Sequence, residues 1–188
     1  MEQTLKDLIT LTSFVEDDCK TLRDSAATTQ TWADEIIATF YDTLFANKST
    51  AAVFQEGERP HREETFRQWY LEITSGEINP TFWEHQWFVG LIHIKRGVNN
   101  EFVIGIMSRV QKLFLDKCMA EMDTLRAEQV FGAFKRVTDI IVGLIVEGYR
   151  QQYLSAVERT SGISRALVDR MAKVEAEGMI EEARASLK

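Results

Sequence analysis

His93 is the residue of this 188-residue chain whose type and setting most invite chemistry. It lies within the run Trp87, Phe88, Val89, Gly90, Leu91, Ile92, His93, Ile94, among almost wholly apolar neighbours. A neutral imidazole in such surroundings must have its polar nitrogens satisfied. Two readings meet that demand. In one, His93 is a core or interface histidine bonded to a carbonyl one turn away. In the other it is an axial ligand to a cofactor metal, a role that imidazole suits. On the second reading Gly90, one turn earlier, removes a side chain beside the ligand and lets a flat macrocycle approach the helix backbone.

Other chemistries find little support. Only His61, His85 and His93 are present, with no clustering that would build a site from histidines alone. Glu58 and His61 form a single Glu-x-x-His pair with Pro60 inside it, whereas a ferritin-like di-iron site needs two such pairs on facing helices. Cys19 and Cys118 are the only cysteines and too far apart for cysteine-rich zinc ligation, so both read as reduced thiols. There is no GxGxxG, no GxxxxGK[ST] and no GxSxG. A net charge of −7 lacks the electrostatic footprint of a nucleic-acid binder. Nothing supplies a reductase to drive redox turnover, such as nitric-oxide dioxygenation, and the chain reads as a non-enzyme. The N-terminus shows no basic region followed by an apolar one. The longest apolar run, Ile140 to Val146, is far short of the ~20 residues of a membrane span. A cytoplasmic protein is expected.

The elements that must position His93 are helices. Two prolines and ten glycines in 188 residues leave long uninterrupted stretches, and 3.6-residue periodicity runs through nearly all of them. Ser13 and Glu16 match a capping box, placing a helix start near Phe14. Trp32, Ile36, Phe40 and Leu44, flanked by Ile37, Tyr41 and Phe45, describe a helix apolar over a wide face. Another resumes at His61 and stops at Ser75-Gly76. Asn79-Pro80 reads as N-cap and first helical residue of the helix carrying His93, with Gly97 its left-handed terminator. Asn99-Asn100 caps the next, to about Met122. A long helix follows from near Ala127 to near Glu158, and Ser161-Gly162 breaks it. Residues 163–188 form a charged amphipathic helix with a thin apolar line at Leu167, Met171 and Val174. The count is seven or eight helices, with no strand and no repeat.

Two stretches carry a family likeness. Ser75-Gly76-x-Ile78-Asn79-x-x-Phe82, followed by Val89-Gly90-x-x-His93-x-x-x-Gly97-Val98, resembles the pattern of the globin-coupled sensors, and Phe40-Tyr41-Asp42-x-Leu44 is similar to an upstream element of that family. The likeness covers about residues 12 to 155. It implies an all-α globin fold of the sensor type, with an N-terminal extension helix, a sensor globin domain over 1–160 and a C-terminal helix or tail over 161–188. It also implies haem b as cofactor, His93 as the proximal ligand to its iron, and Tyr41 on the distal side with its hydroxyl aimed at bound ligand. Thr65 falls where some members place a small distal hydroxyl. The pocket walls would come from Phe54, Phe66, Trp69, Tyr70, Val89, Val98, Phe102 and Ile106, and Lys95 or Arg96 could pair with a propionate. The chain departs from the family pattern at Asn100, Phe102-Val103 and Trp87, where a proline, an aromatic pair and an arginine are usual.

The function implied is binding of O₂, CO or NO and gas or redox sensing. The alternative is a haem-free, dimeric helical module with a globin fold that relays another signal. Phe131, Phe134, Ile140, Ile141, Leu144 and Ile145 exceed what one inward stripe requires, which points to a partner face. The resemblance makes that face a homodimer through the last two long globin helices.

Overall fold

The computed structural model describes residues 1–187. Their secondary structure is helical throughout, without a strand: α1 (Glu2–Thr12), α2 (Glu16–Thr29), a 3₁₀ turn (Gln30–Trp32), α3 (Ala33–Ala46), the single-turn α4 (Lys48–Ala51), α5 (Arg59–Ser75), α6 (Pro80–Arg96), α7 (Asn100–Glu121), α8 (Thr124–Ser161) and α9 (Arg165–Ser186). No helix among the described residues is long and apolar enough to cross a membrane.

The chain divides into two compact units, Met1–Tyr149 and Arg150–Lys188. In the first, α5 packs on α2 and α3, and α3 also packs on α7. Its core centres on Phe114 of α7 and Phe134 of α8, stacked at 3.8 Å, with Trp32 edge-on to Phe114 and Tyr70 edge-on to Phe134. In the second unit α8 runs on to Ser161, Gly162 turns the backbone at φ 75°, and Ser164 caps α9 by accepting from the Leu167 N–H. No residue of α9 is buried, and Leu167, Met171 and Val174 are exposed.

Local signals set the helix ends that hold the site. Gly76 closes α5 at φ 70° and Gly97 closes α6 at φ 68°, the left-handed conformation that costs glycine nothing. The Asn79 side chain accepts from the Phe82 N–H at 3.0 Å, as the Asn-Pro start of α6 leads one to expect. At the N-terminus the capping box lies elsewhere. Ser13 takes φ 58° and ends α1, and α2 starts two residues later than expected, with the Asp18 carboxylate accepting from the Val15 N–H at 3.0 Å. A preceding helix that needs a left-handed exit outcompetes the serine's capping role.

The apolar surplus of α8 has an explanation inside the chain. Phe134, Ile140, Ile141 and Leu144 are wholly buried and Ile145 nearly so. Part of their cover comes from α1, whose Leu8 side chain lies against Gly143, so close that a Cβ there would sit 2.6 Å from it. These residues therefore give no evidence of a partner face.

Candidate functional site

The site begins with two helices that present His93 and Tyr41. Helix α6 is held close to α8 by a glycine-on-glycine crossing. A Cβ on Gly90 would lie 2.7 Å from the Ile145 carbonyl oxygen and 2.7 Å from the Tyr149 nitrogen, and one on Gly148 would lie 2.9 Å from the Trp87 carbonyl oxygen. Gly90 thus faces α8, and its missing side chain serves helix packing. This corrects the expectation that it clears space for a macrocycle. The contact comes from a residue 55 positions along the chain, invisible to local pattern.

His93 is partly buried on α6. Its Nδ1 is buried and has no hydrogen-bond partner. Burial, aided by the nearby Arg96 cation, pushes its pKa down to about 4. The imidazole is therefore neutral at physiological pH, the state in which a histidine ligates a metal. The carbonyl one turn away that the core reading called for is not taken by Nδ1. Trp32 Nε1 and Asn100 Oδ1 are likewise buried without partners. Neither is a metal ligand of comparable strength. No group of three or more His, Cys, Asp or Glu that could hold a metal exists among the described residues.

Tyr41, on α3, is 5% exposed and its hydroxyl donates to the Arg62 carbonyl at 2.7 Å. Burial holds the phenol well above its ordinary pKa, so it is a proton-bearing donor. Its ring stands in an aromatic cluster. Phe54 and Phe66 approach it edge-on at 6.0 and 6.2 Å, Phe40 edge-on at 4.9 Å, and Phe45 is tilted at 6.5 Å. Trp69 extends the cluster by stacking on Phe66 at 4.9 Å. Its indole N–H donates to Gln86 Oε1 at 3.2 Å, tying α5 to α6.

The remaining expected residues separate. Phe102 and Ile106 line a cleft of about 610 Å³ between α3 and α7, with Thr39, Thr43 and Leu44 opposite, and His93 lies outside its lining. Val89 and Val98 are half-buried against the core. Tyr70 points the other way: fully buried, it donates to the Thr29 carbonyl at 2.7 Å and anchors α5 to the end of α2. Thr65 is exposed, and its hydroxyl donates back to the His61 carbonyl at 3.0 Å. Lys95 is exposed, while Arg96 donates to the Val53 carbonyl at 3.0 Å and to Glu58 Oε2 at 2.5 Å.

Sequence reasoning missed Glu58 and Gln86. Glu58 stands at i,i+4 from Arg62, a visible signal, but its bond to Arg96 spans 38 residues. Gln86 is 1% exposed, a buried amide inside an aromatic helix.

The family model described as Protoglobin matches residues 1–155. No curated protein matches the chain. Among solved structures, the globin domain of a Geobacter sulfurreducens globin-coupled sensor superposes with a TM-score of 0.71 at 20% sequence identity, covering 77% of this chain and 97% of that one. At that identity the likeness shows the sensor-globin fold.

Proposed function

The chain belongs to the Protoglobin family, and from that premise we propose that it is a haem-binding globin that takes a diatomic gas and acts as a gas or redox sensor. His93 carries the proposal. A buried imidazole nitrogen without a partner is costly, and this one is neutral and on the helix where the family pattern sets its ligand. Haem iron, when bound, supplies the electron-rich centre to which O₂, CO or NO attaches.

The chain's own residues have distinct tasks. His93 gives its lone pair and needs no deprotonation above about pH 4. Phe54, Phe66 and Trp69, with Val89 and Val98, keep water from the site, which protects a ferrous centre from oxidation; Phe102 and Ile106, on the cleft between α3 and α7, are left with no such task. Tyr41 brings the hydroxyl donor. To serve a bound ligand it must leave the Arg62 carbonyl, so the two acceptors compete for one proton. A neutral hydrogen bond contributes about 1 kcal/mol net and one to a partly charged acceptor more, which favours a ligand carrying negative charge. Thr65, turned to His61, brings no donor in this arrangement. Tyr70 contributes by anchoring α5.

Residues 1–160 are read as the globin portion and 161–188 as a helix that follows it. A homodimer through α7 and α8 belongs to the same proposal. Its remaining support is the exposure of Met119 and Leu125 near the turn between those helices, and light scattering tests it by the mass expected of two chains.

Titration of the purified protein with hemin tests the function. Stoichiometric appearance of a Soret band, lost or displaced in His93→Ala, is expected. A wild-type protein that takes up no hemin under any condition overturns the proposal and leaves the haem-free dimeric module.

A further inference from the structure

The Glu58 carboxylate is the most heavily committed acidic group near the site, and nothing said so far gives it a task. Its side chain is 11% exposed. One oxygen, Oε1, accepts from Arg62 Nε at 2.6 Å and pairs with Arg62 Nη2 at 2.5 Å. The other, Oε2, accepts from Arg96 Nη2 at 2.5 Å and from the Gln55 backbone N–H at 3.0 Å. Arg96 Nη2 also donates to the Val53 carbonyl at 3.0 Å. One carboxylate therefore joins three segments: the stretch 53–57, the first turns of α5, and the last turn of α6.

One end of this junction bonds a residue of the site and the other lies on the last turn of the helix that carries His93. Arg62 is held by its side chain to Glu58 and by its carbonyl to the Tyr41 hydroxyl. Arg96 lies three residues beyond His93, where the chain folds back so that the Val98 N–H donates to the His93 carbonyl at 2.9 Å. From the Tyr41 hydroxyl to the turn after His93, every link is a hydrogen bond or one short stretch of helix. A half-buried carboxylate bonded to two guanidinium groups resists rearrangement, because displacing either arginine leaves charge uncompensated.

We propose that Glu58 is a positioning residue that couples the two sides of the site, so that moving the Tyr41 hydroxyl off the Arg62 carbonyl is felt at the turn after His93. This rests on the haem reading for its purpose, while the coupling itself is a property of the chain. When the hydroxyl leaves Arg62, the α5 start keeps the Arg59–Asp42 pair but loses its tie to Tyr41, and Glu58 passes the change to Arg96. Coupling of this kind needs a demonstrated interaction between the two ends, not mere contiguity.

Amide hydrogen exchange on the haem-free full-length protein supplies that demonstration. Glu58→Gln keeps the shape and removes the charge. It should speed exchange about tenfold, the fold-change equivalent to roughly 1.4 kcal/mol, both at residues 62–66 and at Gly97 and Val98. Asp116→Asn, which breaks the exposed Lys112–Asp116 pair, should change neither. Tyr41→Phe should speed exchange at Gly97 and Val98 in the wild-type background and have no such effect in Glu58→Gln, a non-additive cycle. Arg96→Lys, a milder break of the same junction, should reproduce the Glu58→Gln pattern and serves if that variant does not fold. Acceleration confined to one end, or additive effects of the two substitutions, overturns the coupling. Hemin uptake, measured in parallel, separates this result from the functional reading: a protein that binds no hemin can still show the coupling, and one that binds hemin can lack it.

Discussion

The two sides of the site treat their polar atoms in opposite ways. On the α3–α5 side the Tyr41 hydroxyl has an acceptor at 2.7 Å, inside a closed ring of aromatic neighbours. On the α6 side His93 Nδ1 is also buried and has no hydrogen-bond partner. A buried polar atom without a partner is costly to the folded state, and a group gained from outside the chain would relieve that cost. The α3–α5 side is satisfied by the protein alone, whereas on the α6 side the chain offers Nδ1 no partner. The backbone beneath each side differs too. The aromatic side rests on side chains that can shift, whereas α6 rests on a Gly90–Gly148 crossing where backbone meets backbone.

That contrast can be broken at its strongest point first. Gly90→Ala drives a Cβ to within 2.7 Å of two backbone atoms of α8, which cannot give as a side-chain tip would. A loss of about 3 kcal/mol in urea unfolding of the haem-free protein is expected, with weakened hemin binding. Gly97→Ala, with nothing within 4 Å of the added Cβ, meets only the left-handed φ and should lose about 1 kcal/mol.

Acid sensitivity should come from the bridge between the sides. The Arg96 guanidinium, with the Gln55 N–H and Arg62, holds the Glu58 carboxyl down at about 2 against an ordinary 4.5. A depressed carboxyl stabilises the folded state in full above about pH 4.5, and that contribution is lost as pH falls towards 2. The stability difference between wild type and Glu58→Gln should hold steady from pH 7 to 5, then shrink below 4.5.

Smaller effects test the sign of the comparison. His93→Leu replaces an unpartnered buried polar group and should leave the haem-free protein as stable as before or more stable by about 1 kcal/mol, while abolishing hemin binding. Tyr41→Phe removes a satisfied bond, so the haem-free protein should lose about 1 kcal/mol and the loaded one should release O₂ faster. If both substitutions shift stability in the same direction, the contrast fails. Thr65→Ala should stay within about 0.5 kcal/mol and leave gas release unchanged, because its hydroxyl serves only its own helix.

What was legible in the sequence was local. Asn79, Gly76 and Gly97 mark helix ends because a cap or a left-handed φ is decided within a few residues. The all-α class followed from periodicity, and the family from the resemblance of the stretches Ser75–Phe82 and Val89–Val98 to a known pattern. Where a role is set by a distant neighbour, local pattern misleads. Gly90 looked like a gap beside the ligand because the Ile145 carbonyl it packs against lies 55 residues away. Part of the apolar excess of α8 is covered within the chain, because Leu8 of α1 lies against Gly143, a contact to which the short helix α1 gives no clue in sequence. Thr65 sits one position from Phe66, and on a helix one position is a turn of about 100°, enough to send it to solvent. Glu58 was considered only with His61, yet its partner across space is Arg96.

The central claim is that His93 is finished by an iron it ligates, and imidazole rescue tests it most directly. His93→Gly, reconstituted with hemin and reduced, should lose the iron–histidine stretching band from its resonance Raman spectrum, and added imidazole should restore an iron–imidazole band in its place. A band unchanged in His93→Gly, in a protein that still holds hemin, would mean that another residue ligates the iron and would contradict the account.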